Sequence, residues 1–305
     1  YGTIDVADYY RLSAHPLQLN PEVSKQFLHS SALPYFIGYP LTATIGPGAS
    51  FAVVMIGGVA AAIAALRALT RFRYGARAND AMLMVLATPM LIVLTQYLGK
   101  SDGYLIASFL AVLTASNPAM QATAAFVVVL SHLEMGVLLL AAAWLLGLRR
   151  PGAWMIGAAV GLLVVFSYQH WWLPAPPQSR ADLGASYLRD AVAITLATPV
   201  LHVVWTFGPF WWCVTQAWPI PWRGLIVLAG AFALASATLD FTRVFTIVSL
   251  PLTIALVDRI VDRLDRGAAS AWLACLPLFP FVQAHLLSSL VFDSRLAELV
   301  PRLWR

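Results

Sequence analysis

Two acidic residues near the start of the chain are the first candidates for chemistry. Asp5 and Asp8 lie three residues apart in the stretch IDVADYY. Residues at this spacing share a helix face, so the two carboxylates can bind a divalent cation or act as a general base. An acid that caps a helix beside an ordinary loop explains the spacing equally well. The following Tyr9, Tyr10 and Arg11 suit a surface that meets lipid headgroups or a sugar.

Lys100 and Asp102 form a second polar group, in the stretch LGKSDGY between two apolar segments. A lysine at this place can neutralise the phosphate of a lipid-linked substrate, and Asp102 can orient that substrate or cap a helix. Turns between membrane helices also hold such residues for purely structural reasons. Both interpretations remain open from the sequence.

His132 and Glu134 stand in the middle of an apolar run, in the stretch SHLE. Residues two apart do not share a helix face, so the pair can act together only if the helix breaks. The length of the apolar run over 119–147 also predicts a break at this point. The alternative is a buried histidine whose ring binds a backbone carbonyl.

The fourth polar group is Asp240 and Arg243, in the stretch TLDFTR. Their spacing lets them pair with each other, as a structural ion pair, or jointly face an anionic group. His202 and His285 lie deep in apolar segments, where a core histidine with satisfied hydrogen bonds is the better interpretation.

The composition indicates which elements must position these residues. The chain is 60% hydrophobic and 11% charged, with a mean hydropathy of +0.76. Soluble proteins average about 45–50% apolar and about 25% charged residues. The apolar runs are continuous instead of alternating, and helices satisfy their own backbone hydrogen bonds in lipid. The sequence therefore predicts an all-α, polytopic transmembrane helical bundle.

About ten helical segments are predicted, some of them short or broken. An outer loop with an interfacial or re-entrant stretch precedes the bundle over 1–48, the bundle covers 49–292, and an outer amphipathic tail follows over 293–305. The predicted segments are roughly 50–69, 81–99, 103–116, 119–132, 134–147, 153–170, 191–213, 224–239, 244–257 and 270–292.

The distribution of arginines predicts the orientation of the bundle. If 1–48 lies outside, the inner loops carry most of the arginines, as the positive-inside rule requires. The net charge is +5, but the basic residues are scattered over helix ends and form no basic stripe. This distribution excludes a nucleic-acid surface. The inner arginines are Arg67, Arg71, Arg73, Arg77, Arg149, Arg150, Arg223, Arg259, Arg263 and Arg266.

Together the four polar stretches resemble a known family. The pattern D-x-A-D-Y-Y in an outer loop, G-K-S-D in a hairpin, S-H-x-E in a broken helix and D-x-T-R at an outer turn is similar to the C-type superfamily of membrane glycosyltransferases and related bacterial polysaccharide-assembly proteins. This superfamily transfers sugars from polyprenyl-phosphate donors on the outer side of the membrane. It places its catalytic loop after a first transmembrane helix, so a segment upstream of Tyr1 is expected.

The resemblance implies roles for the candidate residues. Asp5 matches the acidic catalytic base best and Asp8 second, and both are implied as ligands of a divalent cation, Mg or Mn. Lys100 and Arg243 match the basic residues that hold the donor phosphate. The remaining substrate-binding candidates are Asp102, His132, Glu134 and Asp240.

The resemblance also implies the partners and the location of the protein. The partners would be membrane lipid and a lipid-linked sugar. The protein would lie in a bacterial inner membrane, with its N-terminal loop and its C-terminus on the periplasmic side. Two other classes stay open. A secondary transporter would place its charges near the bilayer midplane and show repeats, and a non-catalytic subunit would pair its polar residues among themselves.

Overall fold

The computed structural model is almost entirely helical over the residues that it describes. These are residues 2–20, 23, 26–96, 101–173, 188, 208–238, 241–275, 281–283 and 286–288, with the backbone alone for 2–7, 26, 27, 96 and the last two ranges. The helices are α1 Gly2–Ala14, α2 Leu33–Ile45, α3 Pro47–Tyr74, α4 Ala78–Val85, α5 Leu91–Gln96, α6 Asp102–Thr114, α7 Pro118–Ser131, α8 Leu133–Leu145, α9 Ala153–Ser167, α10 Gly208–Gln216, α11 Trp222–Ser236, α12 Phe241–Val248, α13 Leu250–Ile260 and α14 Arg266–Cys275.

Short helical turns extend or join several of these helices. Three of them are 3₁₀ turns, at Gln26–Ser31, Gly75–Arg77 and Val261–Arg263. Two are π turns, Leu86–Met90 between α4 and α5 and Tyr168–Trp172 after α9. The first π turn contains Pro89, and a residue before proline is pushed out of the helical region, which explains the extended ψ of Thr88 at 166°.

Two stretches of helix within the described ranges are long and apolar enough to cross a membrane. They are Pro47–Thr95 and Ala153–Trp172, and a third span results if Phe241–Val248 and Leu250–Arg263, which meet at 54°, act as one. The apolar helices α6, α7, α8 and α11 have 13 to 15 residues. At about 1.5 Å per residue each is shorter than a hydrocarbon core of about 30 Å. The prediction of helices is confirmed, whereas a bundle of ten spans is not.

The last predicted helical segment, 270–292, is wrong in its extent. Helix α14 ends at Cys275, and an antiparallel hairpin pairs strand β1, Phe281–Gln283, with strand β2, Leu286–Ser288. Phe281 lies opposite Ser288 in its register. The apolar content of this stretch was read as helix, but it includes Val282, a β-branched residue that favours strands. The predicted segment 191–207 and the tail 293–305 lie outside the described residues.

The chain divides into two compact units. The first comprises Tyr1–Leu69, Leu94–Trp144 and Arg149–Arg180, and the second comprises Thr70–Val93, Leu145–Leu148 and Ala181–Arg305. In the first unit a core cluster forms where Tyr9 and Leu12 of α1 meet Tyr35 of α2 and Val54 and Met55 of α3. Tyr9 and Leu12 lie three apart on one helix face, which explains why α1 buries this side.

Small residues let the helices of the first unit approach closely. A Cβ atom added at Gly157 of α9 would stand 1.9 Å from the carbonyl oxygen of Ala122 in α7. A Cβ atom at Gly103 of α6 would stand 2.5 Å from the backbone of Gly58 in α3. Glycines at helix crossings serve this purpose in membrane proteins, where packing replaces the hydrophobic effect between helices.

The core of the second unit is aromatic around α12. The ring of Phe245 contacts Phe210 of α10 edge to face at 5.4 Å between centroids, and the ring of Phe241 contacts Phe232 of α11 at 5.8 Å. Every residue of α12 is buried. Pro251, near the start of α13, cannot donate a backbone hydrogen bond, which explains the bend between α12 and α13.

Candidate functional site

Asp8 is buried in the middle of α1, the helix that carries the first predicted acids. Only 1% of its surface is exposed, and its Oδ1 lies 3.9 Å from Nη1 of Arg11, one helical turn away. This distance marks a loose ion pair, since charged hydrogen bonds are about 2.7–2.9 Å long. Asp5 lies on the same helix, and its side chain lies outside the described residues. The structure therefore shows a buried carboxylate at one of the two predicted positions.

The residue that follows Asp8 is anchored by a chain of hydroxyl groups. The Oγ of Ser50 donates to the carbonyl of Gly38 at 3.1 Å, so the phenol of Tyr9, 3.0 Å away, donates to Ser50. Thr42 also donates to Ser50, at 3.1 Å. Burial raises the pKa of the Tyr9 phenol, which keeps it a proton donor at neutral pH. This network fixes the backbone beside Asp8.

The second predicted group reaches the same cluster from α6. Asp102 is buried with 2% of its surface exposed, and Gly103 packs against the backbone of Gly58. Tyr104 then packs against the cluster that contains Tyr9, and its hydroxyl donates to the carbonyl of Val54 at 2.7 Å. Lys100, the other member of this group, lies outside the described residues.

The two polar stretches are thus brought together through their tyrosines. Asp8 immediately precedes Tyr9, and Asp102 comes two residues before Tyr104. Tyr9 belongs to one core cluster and Tyr104 packs against it, so each buried acid lies within two residues, along the chain, of a tyrosine at this cluster. Buried ionisable groups in an apolar helical protein are costly, and their occurrence in pairs marks a candidate site.

The predicted helix break at His132 is confirmed. Helix α7 ends at Ser131, His132 has an extended backbone with φ −165° and ψ 105°, and α8 begins at Leu133. The break brings Nδ1 of His132 to 3.4 Å from Oε2 of Glu134. The imidazole is buried, whereas the carboxylate of Glu134 is 42% exposed. The pair therefore has one buried and one accessible member.

The fourth predicted group is only partly described. Arg243 is buried in α12 with 7% of its surface exposed, and it belongs to the second compact unit. Asp8, Asp102, His132 and Glu134 belong to the first unit. Asp240, His202 and His285 lie outside the described residues.

Two acids of the second unit, Asp258 and Asp80, are paired with arginines. Asp258 binds Arg73 through two hydrogen bonds, at 3.0 and 2.6 Å, and accepts a third from Tyr74 at 2.7 Å. Asp80 lies 2.7 Å from Nε of Arg266 and is buried. A buried acid must be compensated, and the arginine supplies that compensation.

The family resemblance implies a divalent cation at Asp5 and Asp8. Among the described side chains, no group of three histidine, cysteine or acidic residues lies close enough together to hold a metal ion. The side chain of Asp5 is outside that set.

Sequence reasoning did not assign roles to Ser50, Gly58 or Tyr104, which hold the residues next to Asp8 and Asp102 in place. The sequence held one signal for Tyr104, which is its position directly after Asp102 and Gly103. The others are contacts between segments far apart in the chain, and no local pattern reports them.

Comparisons of the chain with protein-family models, with curated proteins and with solved structures find no match.

Proposed function

We propose that the chain is a membrane glycosyltransferase that moves a sugar from a polyprenyl-phosphate-linked donor to an acceptor on the outer face of a bacterial inner membrane. The observation that supports the proposal best is the burial of Asp8 and Asp102, each within two residues along the chain of a tyrosine at one core cluster. The proposal includes the finer topology, with about ten membrane segments and both termini on the periplasmic side.

The reaction needs a base and a stabilised leaving group. The acceptor hydroxyl attacks the anomeric carbon of the donor sugar while its proton passes to the carboxylate of Asp8. The bond between the anomeric carbon and the phosphate oxygen breaks, and its electron pair leaves with polyprenyl phosphate. A carboxylate held in place by neighbouring hydrogen bonds suits this role, and general base catalysis contributes about 10²–10⁴-fold to a rate.

Asp5 is the alternative base, because the family resemblance favours it over Asp8. Lys100 and Arg243 are proposed to hold the donor phosphate, and Asp102, His132, Glu134 and Asp240 to bind the sugar or the acceptor. A divalent cation, Mg or Mn, bound by Asp5 and Asp8 is part of the same proposal. Cations close to a departing phosphate stabilise the charge that develops on it.

A non-catalytic subunit is a second candidate, and one observation favours it. Asp8 and Arg11, like His132 and Glu134, pair with a residue of their own segment. Structural ion pairs have this arrangement, and they need no substrate. The two candidates differ in what happens when one carboxylate is neutralised.

The test uses the full chain in liposomes with a panel of polyprenyl-phosphate sugars. Release of polyprenyl phosphate is followed by ³¹P NMR, with and without Mg²⁺ or Mn²⁺, for the wild type, Asp5→Asn and Asp8→Asn. Asp262→Asn is the matched control, because this exposed acid lies in the other unit. We expect Asp8→Asn to lower the rate at least about 100-fold and Asp262→Asn to leave it unchanged.

Binding of polyprenyl phosphate alone is measured in parallel, since it does not depend on which sugar is the natural one. If the wild type neither binds this lipid nor releases it from any donor, the transferase proposal fails. If Asp8→Asn keeps full activity and Asp5→Asn loses it, the proposal stands with Asp5 as the base. If both variants keep full activity, the carboxylates are structural.

A further inference from the structure

A cavity of about 540 Å³ lies within the second compact unit, and none of the residues proposed for catalysis or substrate binding lines it. Its walls come from the end of α3, the Leu146–Leu148 turn, the first turn of α11 and the length of α13. Gly224 lets α11 come close to its neighbours, because a Cβ atom there would stand 2.6 Å from the side chain of Ile220. The helices therefore line an open cavity large enough for a small headgroup.

Three arginines and one acid supply the charges of this cavity. They are Arg73, Arg223, Arg259 and Asp258. Asp258 is engaged by the two hydrogen bonds from Arg73 and the third from Tyr74. The charge of Arg73 is balanced by this carboxylate, so Arg223 and Arg259 give the cavity an excess of positive charge. A concave site with excess cations attracts anions.

The two other arginines are held in place without being neutralised. Nη1 of Arg259 donates to the carbonyl of Pro219 at 2.7 Å, which uses one of its five N–H groups. The guanidinium of Arg223 lies over the ring of Trp222, 5.4 Å from its centroid. A cation–π contact orients the guanidinium but leaves its N–H groups available for hydrogen bonds. Both arginines are exposed, so a ligand can reach them.

The rest of the lining is apolar. Ile220, Leu252, Leu256 and Leu146 face the same cavity. A surface that combines two oriented guanidinium groups with aliphatic side chains complements an amphiphile whose head is anionic. Arginine binds phosphate with two parallel hydrogen bonds, so a phosphate head fits this surface.

We propose that this cavity binds a phosphate group through Arg223 and Arg259, either as the headgroup of an anionic phospholipid or as free phosphate. The inference does not depend on the proposed transferase activity, because none of its residues takes part in that reaction. The positive-inside rule does not account for this site, because that rule requires only arginines near the membrane and no particular cavity.

Binding is measured on the full chain with two probes. Inorganic phosphate is titrated in detergent by isothermal calorimetry, and native mass spectrometry counts lipids retained from nanodiscs of phosphatidic acid or of phosphatidylcholine. The variant is Arg223→Gln with Arg259→Gln, and Arg71→Gln is the control. Arg71 is an exposed arginine of α3 that does not line the cavity.

We expect the double variant to weaken phosphate binding at least about tenfold, since it removes the charged hydrogen bonds of both guanidinium groups. Arg71→Gln should bind as the wild type does. Retention of phosphatidic acid together with free phosphate binding of millimolar strength or weaker identifies a lipid headgroup site. Equal affinity for both probes identifies a site for free phosphate.

Three results would overturn the proposal. The first is that the wild type binds neither probe, and the second is that the double variant binds as the wild type does. The third is that Arg71→Gln loses as much affinity as the double variant. The last result would mean that overall charge, and not this cavity, attracts the anion. If the double variant does not fold, the single Arg223→Gln change replaces it, because Arg223 makes no hydrogen bond to the described residues.

Discussion

The imidazole Nδ1 of His29 lies 2.7 Å from the phenol oxygen of Tyr168, and this hydrogen bond joins residues 139 positions apart. Tyr168 donates its only hydroxyl proton to the carbonyl of Pro16. His29 must therefore carry its proton on Nδ1 and donate to Tyr168. Its other ring nitrogen, Nε2, is buried without a hydrogen-bond partner among the described residues.

This arrangement predicts that acid destabilises the first unit. A second proton on Nε2 would be buried without an acceptor, and burial lowers the pKa of His29 from 6.5 to about 4. Between these two pH values the unfolded chain binds a proton that the folded chain does not, so stability falls as the pH falls. Above the higher value both states are neutral at this residue and it adds no pH dependence.

Thermal unfolding in detergent between pH 7.5 and pH 4 measures the effect. We expect the midpoint of the wild type to fall below pH 6.5, and His29→Gln to show a shallower decline. His15→Gln is the control, because His15 belongs to the same compact unit and is exposed. A wild type and a His29→Gln variant with parallel pH profiles would contradict the prediction.

Removal of the Tyr168 hydroxyl should also destabilise this unit. Tyr168→Phe leaves Nδ1 of His29 and the carbonyl of Pro16 without their partner, at a cost of about 1–3 kcal/mol for each buried group left unsatisfied. Tyr39→Phe removes the same atom from a side chain that is 52% exposed. A midpoint lowered by Tyr168→Phe and unchanged by Tyr39→Phe is expected in thermal unfolding. Equal effects of the two changes would rule out a special role for the Tyr168 bond.

Local signals in the sequence predicted much of the secondary structure. The break at His132 was predicted from two features of the apolar run over 119–147. The run is too long for one short helix, and a polar pair stands at its centre. The start of α7 has a local cause as well, since the side chain of Asn117 accepts from the backbone of Ala119 at 2.7 Å and Pro118 follows it. The strands Phe281–Gln283 and Leu286–Ser288 were not predicted, because the apolar residues of this stretch carry no helix-specific or strand-specific period.

The candidate site was predictable in its residue types but not in its neighbours. Asp8 and Asp102 stood out because acids next to apolar segments are rare. Their shared cluster depends on Tyr9 and Tyr104, which lie on helices far apart in the chain. The pairing of Arg73 with Asp258 spans 185 residues. Contacts of this range follow from how the helices pack, which a single sequence does not report.

The Arg73–Asp258 pair predicts a difference between arginine and lysine at position 73. Lysine keeps the charge but cannot form the two parallel hydrogen bonds, at 3.0 and 2.6 Å, that the guanidinium makes. The pair is partly buried, so we expect Arg73→Lys to destabilise the protein by about 1–3 kcal/mol. Chemical denaturation in detergent checks this, with Arg71→Lys, on the exposed face of the same helix, as the control. Equal stability of Arg73→Lys and the wild type would contradict the prediction.

The crossing of α7 and α9 predicts opposite effects for two glycine-to-alanine changes. A Cβ atom at Gly157 would stand 1.9 Å from the carbonyl oxygen of Ala122, so α9 must move away and lose its packing. Overpacking of this kind costs about 1–3 kcal/mol, and occasionally more. At Gly230 of α11 no atom lies within 4 Å of the added Cβ. There alanine should stabilise the helix by about 0.5–1 kcal/mol, because glycine is the poorer helix former.

Thermal unfolding of Gly157→Ala and Gly230→Ala in the same detergent compares the two sites. The midpoint should fall for Gly157→Ala and stay level or rise for Gly230→Ala. Since both changes add one methyl group to an apolar helix, a difference in general hydrophobicity cannot explain opposite signs. If Gly157→Ala were as stable as Gly230→Ala, the close approach of α7 and α9 would be wrong, and these helices would have to be separated by at least the width of a methyl group.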